Sequence, residues 1–416
     1  MKTSSKILYH LVFFTTLSIV VFSLFAIIFP SFLMTTFYPY TTNLQPFESS
    51  VWLVPIVSSN SILLVIGFAY YRKRLPLQIY KGIEFVLNFE ISKKTALLTG
   101  IIILVFYIGF SLPELAIDEA TQWDDYQDLK SGLDIWPSTA DGIIQYSPYS
   151  NKGYSEYERP IRMLLLDTSL DIFQNVKILP FVASILLVVV TFFLTYQITQ
   201  KRFAGIISMV ILLQSHTFLH FDTIAVYENF WVLFYVASLY AINRKWHYSS
   251  ILYLLSIFSK AFIAVFFLPS IYYICRASIS KRKKLYTLAS YAASLIVVLV
   301  VFSFGELDEI GIIQNVYYNT INPSSEFFLA FNALGYALRY DLIIVLSLLP
   351  LTLGLFFKFR KENSKNVDSI LVLILTSLLA GPVESMLLGF PMLPYRFLPL
   401  IVFVAVGIGV LLSKKN

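Results

Sequence analysis

The sequence predicts an all-α polytopic membrane protein of about 12 transmembrane helices (range about 11–13), with a large first external loop that contains short interfacial helices. Three observations lead there. Of the 416 residues, 57% are hydrophobic and only 13% charged, against roughly 25% charged in soluble globular chains; the mean hydropathy is +0.73. Apolar runs recur along the whole chain at about the 20 residues that a helix needs to cross the hydrocarbon core. Lys and Arg gather between alternate runs, as the positive-inside rule requires of a multi-pass protein.

The clearest spans are 7–29, 51–70, 95–113, 179–199, 285–304, 341–357 and 397–413. Less regular runs cover 203–218, 224–242, 249–259, 261–275 and 368–382. The two on either side of Lys260 are short, and read either as two half-spans or as one long helix. The N-terminal run starts like a signal peptide. It is too long for an h-region and lacks a small-residue cleavage site, so it reads as a retained helix.

Basic residues cluster in the N-terminal tail, 71–94, 201–202, 244–245, 276–284, 358–365 and 414–415, and most of the acidic residues fall in the alternate segments. That opposition predicts an integral, multi-pass protein with both termini cytoplasmic. The external side then holds 114–178, 305–340 and 383–396. Segment 114–178 is too long for a structureless loop, so short surface helices are expected in it. The chain divides into two extra N-terminal spans with a basic cytoplasmic loop (1–94) and a membrane core (95–416). The basic residues behind the net charge of +6 gather mainly on one membrane side, which argues for membrane lipids and against nucleic acid as a partner. A lone Cys275 excludes an internal disulfide and cysteine-based metal centres.

Chemistry concentrates at the ends of spans. "AIDEATQWDDYQDL" follows directly on the third span and places Asp118 and Glu119 at the outer face. If 118–128 were helical, Asp118 and Asp125 would share a face, and Asp124 and Asp128 would pair at i, i+4, with Trp123 and Tyr126 at headgroup depth. Such carboxylates either solvate a loop or present a base to an amphiphilic substrate. In "SEYERPIRMLLLD", Arg159 and Arg162 either grip a phosphate or neutralise Glu156, Glu158 or Asp167. Asp222 and Glu228 stand in apolar sequence, where ionisable groups default to a functional hypothesis. His216, His220 and Asp222 have zinc-ligand character but lack an evident fourth ligand, so hydrogen-bonded interfacial His is the expected role. Lys260 either snorkels or meets an anionic ligand. Arg396, beside Tyr395, runs against the positive-inside trend. Arg339, Tyr340 and Asp341 read as a structural ion pair at another outer mouth.

In this order and sidedness, the pieces resemble the GT-C superfamily of integral-membrane glycosyltransferases, and within it the protein O-mannosyltransferase and aminoarabinose-transferase type. The resemblance covers about residues 95–413. It is carried by "AIDEATQW" opening a large external loop, "YERPIR" as a basic-Pro motif, "FSKAFI" as a span with Lys near its outer end, and "PYRFLP" before the final helix. The chain departs from that pattern in lacking a second Pro in the basic-Pro motif, in reading Tyr-Arg-Phe late, and in its two N-terminal spans. The resemblance implies inverting transfer of a sugar from a polyprenyl (dolichyl-type) phosphate donor to a protein, lipid or glycan acceptor on the extracytoplasmic face. It makes Asp118 the base and Glu119 a holder of polar groups. Arg159, Arg162, Lys260 and Arg396 become the candidates for the donor phosphate. Asp124, Asp125, Asp222 and Glu228 are secondary acidic, acceptor or metal positions. A carboxylate pair is also suited to Mg or Mn. A multi-span transporter or flippase of a lipid-linked or anionic substrate is the competing reading, and it predicts a repeat between halves.

Overall fold

The computed structural model describes residues 3–37, 45–123, 125–139, 160–305, 323–362, 367–388 and 393–413. These are mostly helical, with no strand among the described residues. Among the described residues, eight helices are long and apolar enough to cross a membrane: Ile7–Ile28, Leu53–Tyr71, Lys93–Ala116, Ile178–Thr199, Lys281–Val300, Leu342–Arg360, Val367–Met386 and Pro394–Leu411. The chain is therefore an integral multi-pass membrane protein. Seven of the eight coincide with the clearest runs in the sequence, and the eighth with the run at 368–382.

The remaining runs are shorter than expected. The run at 203–218 breaks into α9 (Arg202–Leu213) and α10 (His216–His220). The run at 224–242 becomes helical only as α11 (Phe230–Arg244). α12 (Trp246–Ser259) stops at Lys260, whose extended backbone (φ −160°, ψ 115°) leads into a 3-10 turn, Ala261–Phe266, and then α13 (Phe267–Arg276). Of the two readings of that stretch, the broken one holds. At 1.5 Å per residue, a 14-residue helix reaches only about 21 Å, short of the roughly 30 Å core.

The helices form two compact units, 1–100 with 191–218 and 320–416, and 101–190 with 219–319. The first unit contains α1 (Thr3–Ile28), α2 (Pro30–Phe37), α3 (Leu53–Tyr71), α4 (Leu77–Asn88), α9, α15 (Pro323–Leu338), α16 (Leu342–Glu362), α17 (Val367–Leu388) and α18 (Leu398–Leu411). α18 is its centre, buried on every side from Leu398 to Gly407. It consists almost entirely of Leu, Val, Ile, Gly and Ala, as a helix surrounded by other helices must. Glycines set the approach: a Cβ at Gly407 would meet Leu351 at 3.2 Å, and one at Gly409 would meet the Ala204 carbonyl at 2.7 Å. α1 runs antiparallel to α16, with Tyr9 donating to the Phe356 carbonyl (2.8 Å) and Phe13 stacked on Phe356. The N-terminal spans thus pack with C-terminal helices of this unit.

The second unit contains most of α5 (Lys93–Ser111) and α8 (Ile178–Thr199), with α6 (Tyr126–Thr139), α7 (Pro160–Phe173), α11, α12, α13 and α14 (Lys281–Gly305). α11 and α12 form a tight hairpin turning at Lys245. Small hydroxyl residues let the helices close: Ser256 donates to the Trp231 carbonyl (2.7 Å) and Ser249 to the Ser238 carbonyl (2.9 Å). Tyr253 stacks on Tyr291 of α14 at 4.9 Å. Segment 114–178, in which short helices are expected, contains α6 and α7, with 3-10 turns at Leu112–Ala116 and Glu119–Thr121.

Candidate functional site

The site is built where the third span ends. α5 tightens into a 3-10 turn at Leu112–Ala116, and Ile117 and Asp118 are extended. Asp118 caps the next turn: its carboxylate accepts from the Ala120 N–H (3.0 Å) and its carbonyl accepts from the Thr121 hydroxyl (2.7 Å). This is the usual capping geometry of Asp. The carboxylate is exposed. A continuous helix over 118–128 does not form, because the chain leaves the 3-10 turn and restarts as α6 at Tyr126. Asp118 and Asp125 therefore do not share a helix face. Asp125 instead accepts from the Tyr227 hydroxyl (2.7 Å).

Glu119 points the opposite way and is 2% exposed. Its two oxygens accept the N–H groups of Ala225 (3.1 Å) and Val226 (2.7 Å). Burial pushes its carboxyl above the ordinary range, opposed first by the Val226 and Ala225 hydrogen bonds and then by Lys177 and Arg162. The same two residues are gripped from their carbonyl side: Arg162 donates to the Val226 carbonyl (2.8 Å), and its Nε lies 2.9 Å from the Glu228 carboxylate. The segment 221–229 is not helical, so its peptide groups need such partners. Glu119 and Arg162 supply them, one for donors and one for acceptors. The span end, α7 and this segment are thereby locked into one polar cluster.

Lys177 completes the support. It is 3% exposed and donates to the carbonyls of Glu114 (2.7 Å) and Ile117 (3.1 Å), the residues that lead into Asp118. Asn175 adds a bond to the Leu115 carbonyl (3.0 Å). Burial lowers the Lys177 ammonium below its ordinary value, while Glu119, Glu114 and Asp118 act to raise it. Lys177 is absent from the residues that the sequence singles out. It is one of the few cations of the acid-rich segment 114–178 and comes immediately before an apolar run, so the criterion that picks out Lys260 would have found it.

Asp222 is fully buried, accepting from the Ser111 hydroxyl (2.7 Å), while its carbonyl accepts from Ser184 (2.7 Å). Burial raises its carboxyl to about 7. Trp123 packs edge-on against Tyr227 (5.0 Å) and His220 (5.7 Å), an aromatic cluster that joins the turn after the third span to the 220–227 stretch.

The other expected residues fall elsewhere. Asp124 and Arg159, like Glu156 and Glu158, lie outside the described residues. Arg162 pairs with Glu228, which the sequence does not offer as its partner. Lys260 is 7% exposed, with its ammonium 5.5 Å from the Trp231 ring, which is cation–π range. Arg396 belongs to the other unit, in an ion pair with Glu384. Asp341 is in that unit too, held by the Ser215 and Thr217 hydroxyls and not by Arg339. His216 rests against Tyr340 in the first unit, whereas His220 belongs to the second. Among the described residues, no three His, Cys, Asp or Glu gather as a metal site. With both Glu119 oxygens taken by peptide N–H groups, the Asp118–Glu119 pair does not fit a shared Mg or Mn.

No protein-family model, curated protein or solved structure matches the chain. Its chemistry is therefore read from its own residues. An exposed carboxylate stands on a buried, fully bonded support, next to aromatic rings and at the end of a membrane span. Chemically, that arrangement can accept a proton from, or orient, a group that approaches along the membrane surface.

Proposed function

We propose that this chain is an integral-membrane glycosyltransferase of the GT-C type. It transfers a sugar from a polyprenyl-phosphate donor to an acceptor on the extracytoplasmic face, with inversion and with both termini cytoplasmic. The observation that carries the reading is the division of labour between Asp118 and Glu119. One carboxylate is exposed at the membrane boundary, and its neighbour is spent on holding the backbone that presents it.

In this reading Asp118 takes the proton of the acceptor hydroxyl or amide as that atom attacks the anomeric carbon. The new glycosidic bond forms as the bond from that carbon to the phosphate oxygen breaks, and the polyprenyl phosphate leaves with the electron pair. Cations that stabilise the departing phosphate contribute most when they sit in a dry, preorganised site. Lys260 meets that condition, and Arg159 remains a candidate by sequence. Arg162 serves as a positioning residue because Glu228 and two carbonyls already use its donors. Glu119 likewise positions Asp118.

A proton-coupled carrier is the second reading, favoured by the buried Asp222 with its carboxyl near neutrality. One experiment separates the two. Membranes containing the chain are given lipid-phosphate sugar donors, and both sugar transfer and substrate flux are measured for wild type and Asp118→Asn. Transfer that falls by at least about 100-fold in the variant supports the transferase. Flux without transfer in the wild type supports the carrier. Undiminished transfer in the variant removes Asp118 from the base role.

A further inference from the structure

The first unit contains a cavity of about 490 Å³, within the usual 300–1,000 Å³ range of small-molecule sites. It uses no residue of the Asp118 site. One wall is the end of α1 and the start of α2, with Ile27 and Met34; the second is Trp52, ahead of α3; the third is α15, with Asn332 and Ala333, and Arg339 directly after it. Its position in the bilayer follows from the helices. Ile28 ends one span, Leu53 begins the next, and Leu342 begins another. Ser50 ties the first two together, donating its N–H to the Ile28 carbonyl (2.7 Å) and its hydroxyl to the Ile27 carbonyl (2.8 Å). Asn60 of α3 donates to the Val345 carbonyl (3.3 Å), which brings the start of α16 to the same face. The cavity therefore opens at a membrane boundary.

Its chemistry is two-sided. The lining is mostly apolar, and exposed Val51, Val54 and Tyr336 extend that character around it. The polar end carries Arg339, whose guanidinium lies 3.8 Å from the Tyr336 ring centroid and 4.7 Å from that of Tyr340, and donates to the Tyr340 hydroxyl (2.9 Å). Among the described residues no carboxylate lies within ion-pair distance of Arg339. Its Nε and the Asn332 Oδ1 are buried with no hydrogen-bond partner. Buried polar atoms ordinarily find partners, and a guanidinium held over two aromatic rings is restrained to offer its donors to a bidentate anion such as a phosphate.

We infer that this cavity binds an amphiphile with a phosphate headgroup, the phosphate on Arg339 and the start of one hydrocarbon chain along Ile27, Met34 and Trp52. An anionic group at the boundary end satisfies the guanidinium, while the chain continues into the bilayer that the spans define.

The test uses the full chain purified in a neutral detergent, with tryptophan fluorescence as the readout and Trp52→Phe to assign the signal to the cavity. Three probes are titrated: a lysophosphatidic acid, the monoacylglycerol of the same chain, and inorganic phosphate. The wild type is expected to bind the lysophosphatidic acid at least 10-fold more tightly than the monoacylglycerol. Arg339→Gln is expected to erase that preference. Ala333→Phe, which fills the cavity from the α15 wall, is expected to weaken both lipids with Arg339 intact. Preference retained in Arg339→Gln overturns the inference, as does inorganic phosphate binding as tightly as the lipid, which would mean a free-anion site. If Arg339→Gln does not fold, Ala333→Phe decides alone, and unchanged lipid binding in it overturns the inference. None of these outcomes depends on sugar transfer.

Discussion

Arg162 and Glu228 form a buried ion pair at 2.9 Å, with side-chain exposures of 10% and 4%. The pair joins α7 to the non-helical segment that also takes up Glu119. Leaving either charge buried alone costs about 3–5 kcal/mol. Arg162→Met and Glu228→Gln should each lower the detergent-solubilised melting midpoint sharply. The double variant should lose clearly less than the sum of the two. Thermal unfolding of all four proteins measures the coupling, and strict additivity would show that the pair contributes nothing.

Glu119→Gln tests the support beneath Asp118. An amide keeps one acceptor but turns an NH₂ toward a peptide N–H, so one of the Ala225 and Val226 bonds is lost. A buried donor left unmet costs about 1–3 kcal/mol. The expected result is reduced stability together with reduced transfer. Asp118→Asn, at an exposed position, should abolish transfer with stability within about 0.5 kcal/mol of wild type. Equal destabilisation by the two substitutions would contradict the division of roles.

The buried Asp222 predicts a pH dependence. Its carboxyl is raised to about 7 in the folded chain, first by burial and then against the Ser111 and Tyr107 hydrogen bonds, with Glu114 adding repulsion; the unfolded value is near 3.9. Between those values the folded state holds a proton that the unfolded chain has released. Its contribution to stability is therefore complete below about pH 4 and is lost as pH rises through about 7. Between pH 6 and 8.5 the wild-type midpoint should fall by a few degrees more than that of Asp222→Asn. Parallel curves for the two proteins would show that the carboxyl does not titrate in this window.

Gly409 predicts a packing effect in the other unit. An added methyl would press on the Ser208 hydroxyl and the Ala204 carbonyl (2.7 Å) of α9, and the carbonyl belongs to a helix backbone that cannot turn aside. Ser208 is itself bonded to Thr195 and Ala204. Gly409→Ala should cost about 1–3 kcal/mol, seen as a lower midpoint. Gly67→Ala, with nothing within 4 Å, should leave it unchanged.

The long spans and their order were legible because crossing the bilayer demands a run of apolar residues, which is a property of each segment taken alone. Asp118 and Glu119 were legible as a position for the same reason, since they come directly where such a run stops. The stretch 203–275 was not. Where α9, α11 and α12 end is decided by Lys260, by the buried 221–229 segment and by hydroxyl residues that bond across helices, and none of these has a periodicity to read. The pairing of Arg162 was also out of reach, because nearby Asp167 competed on paper with the distant Glu228.

By itself, then, the sequence determined a helical multi-pass membrane protein, the alternation of basic and acidic segments between its apolar runs and the place where carboxylates meet the end of a span. Tertiary structure alone decided that Glu119 is buried while Asp118 is exposed, that Lys177 braces the turn between them and the span, and that Arg396 and Asp341 have partners of their own. The physical reason is that hydrophobicity acts locally along a chain. A buried charge is settled only by whichever peptide groups and counter-charges the fold brings within about 3 Å.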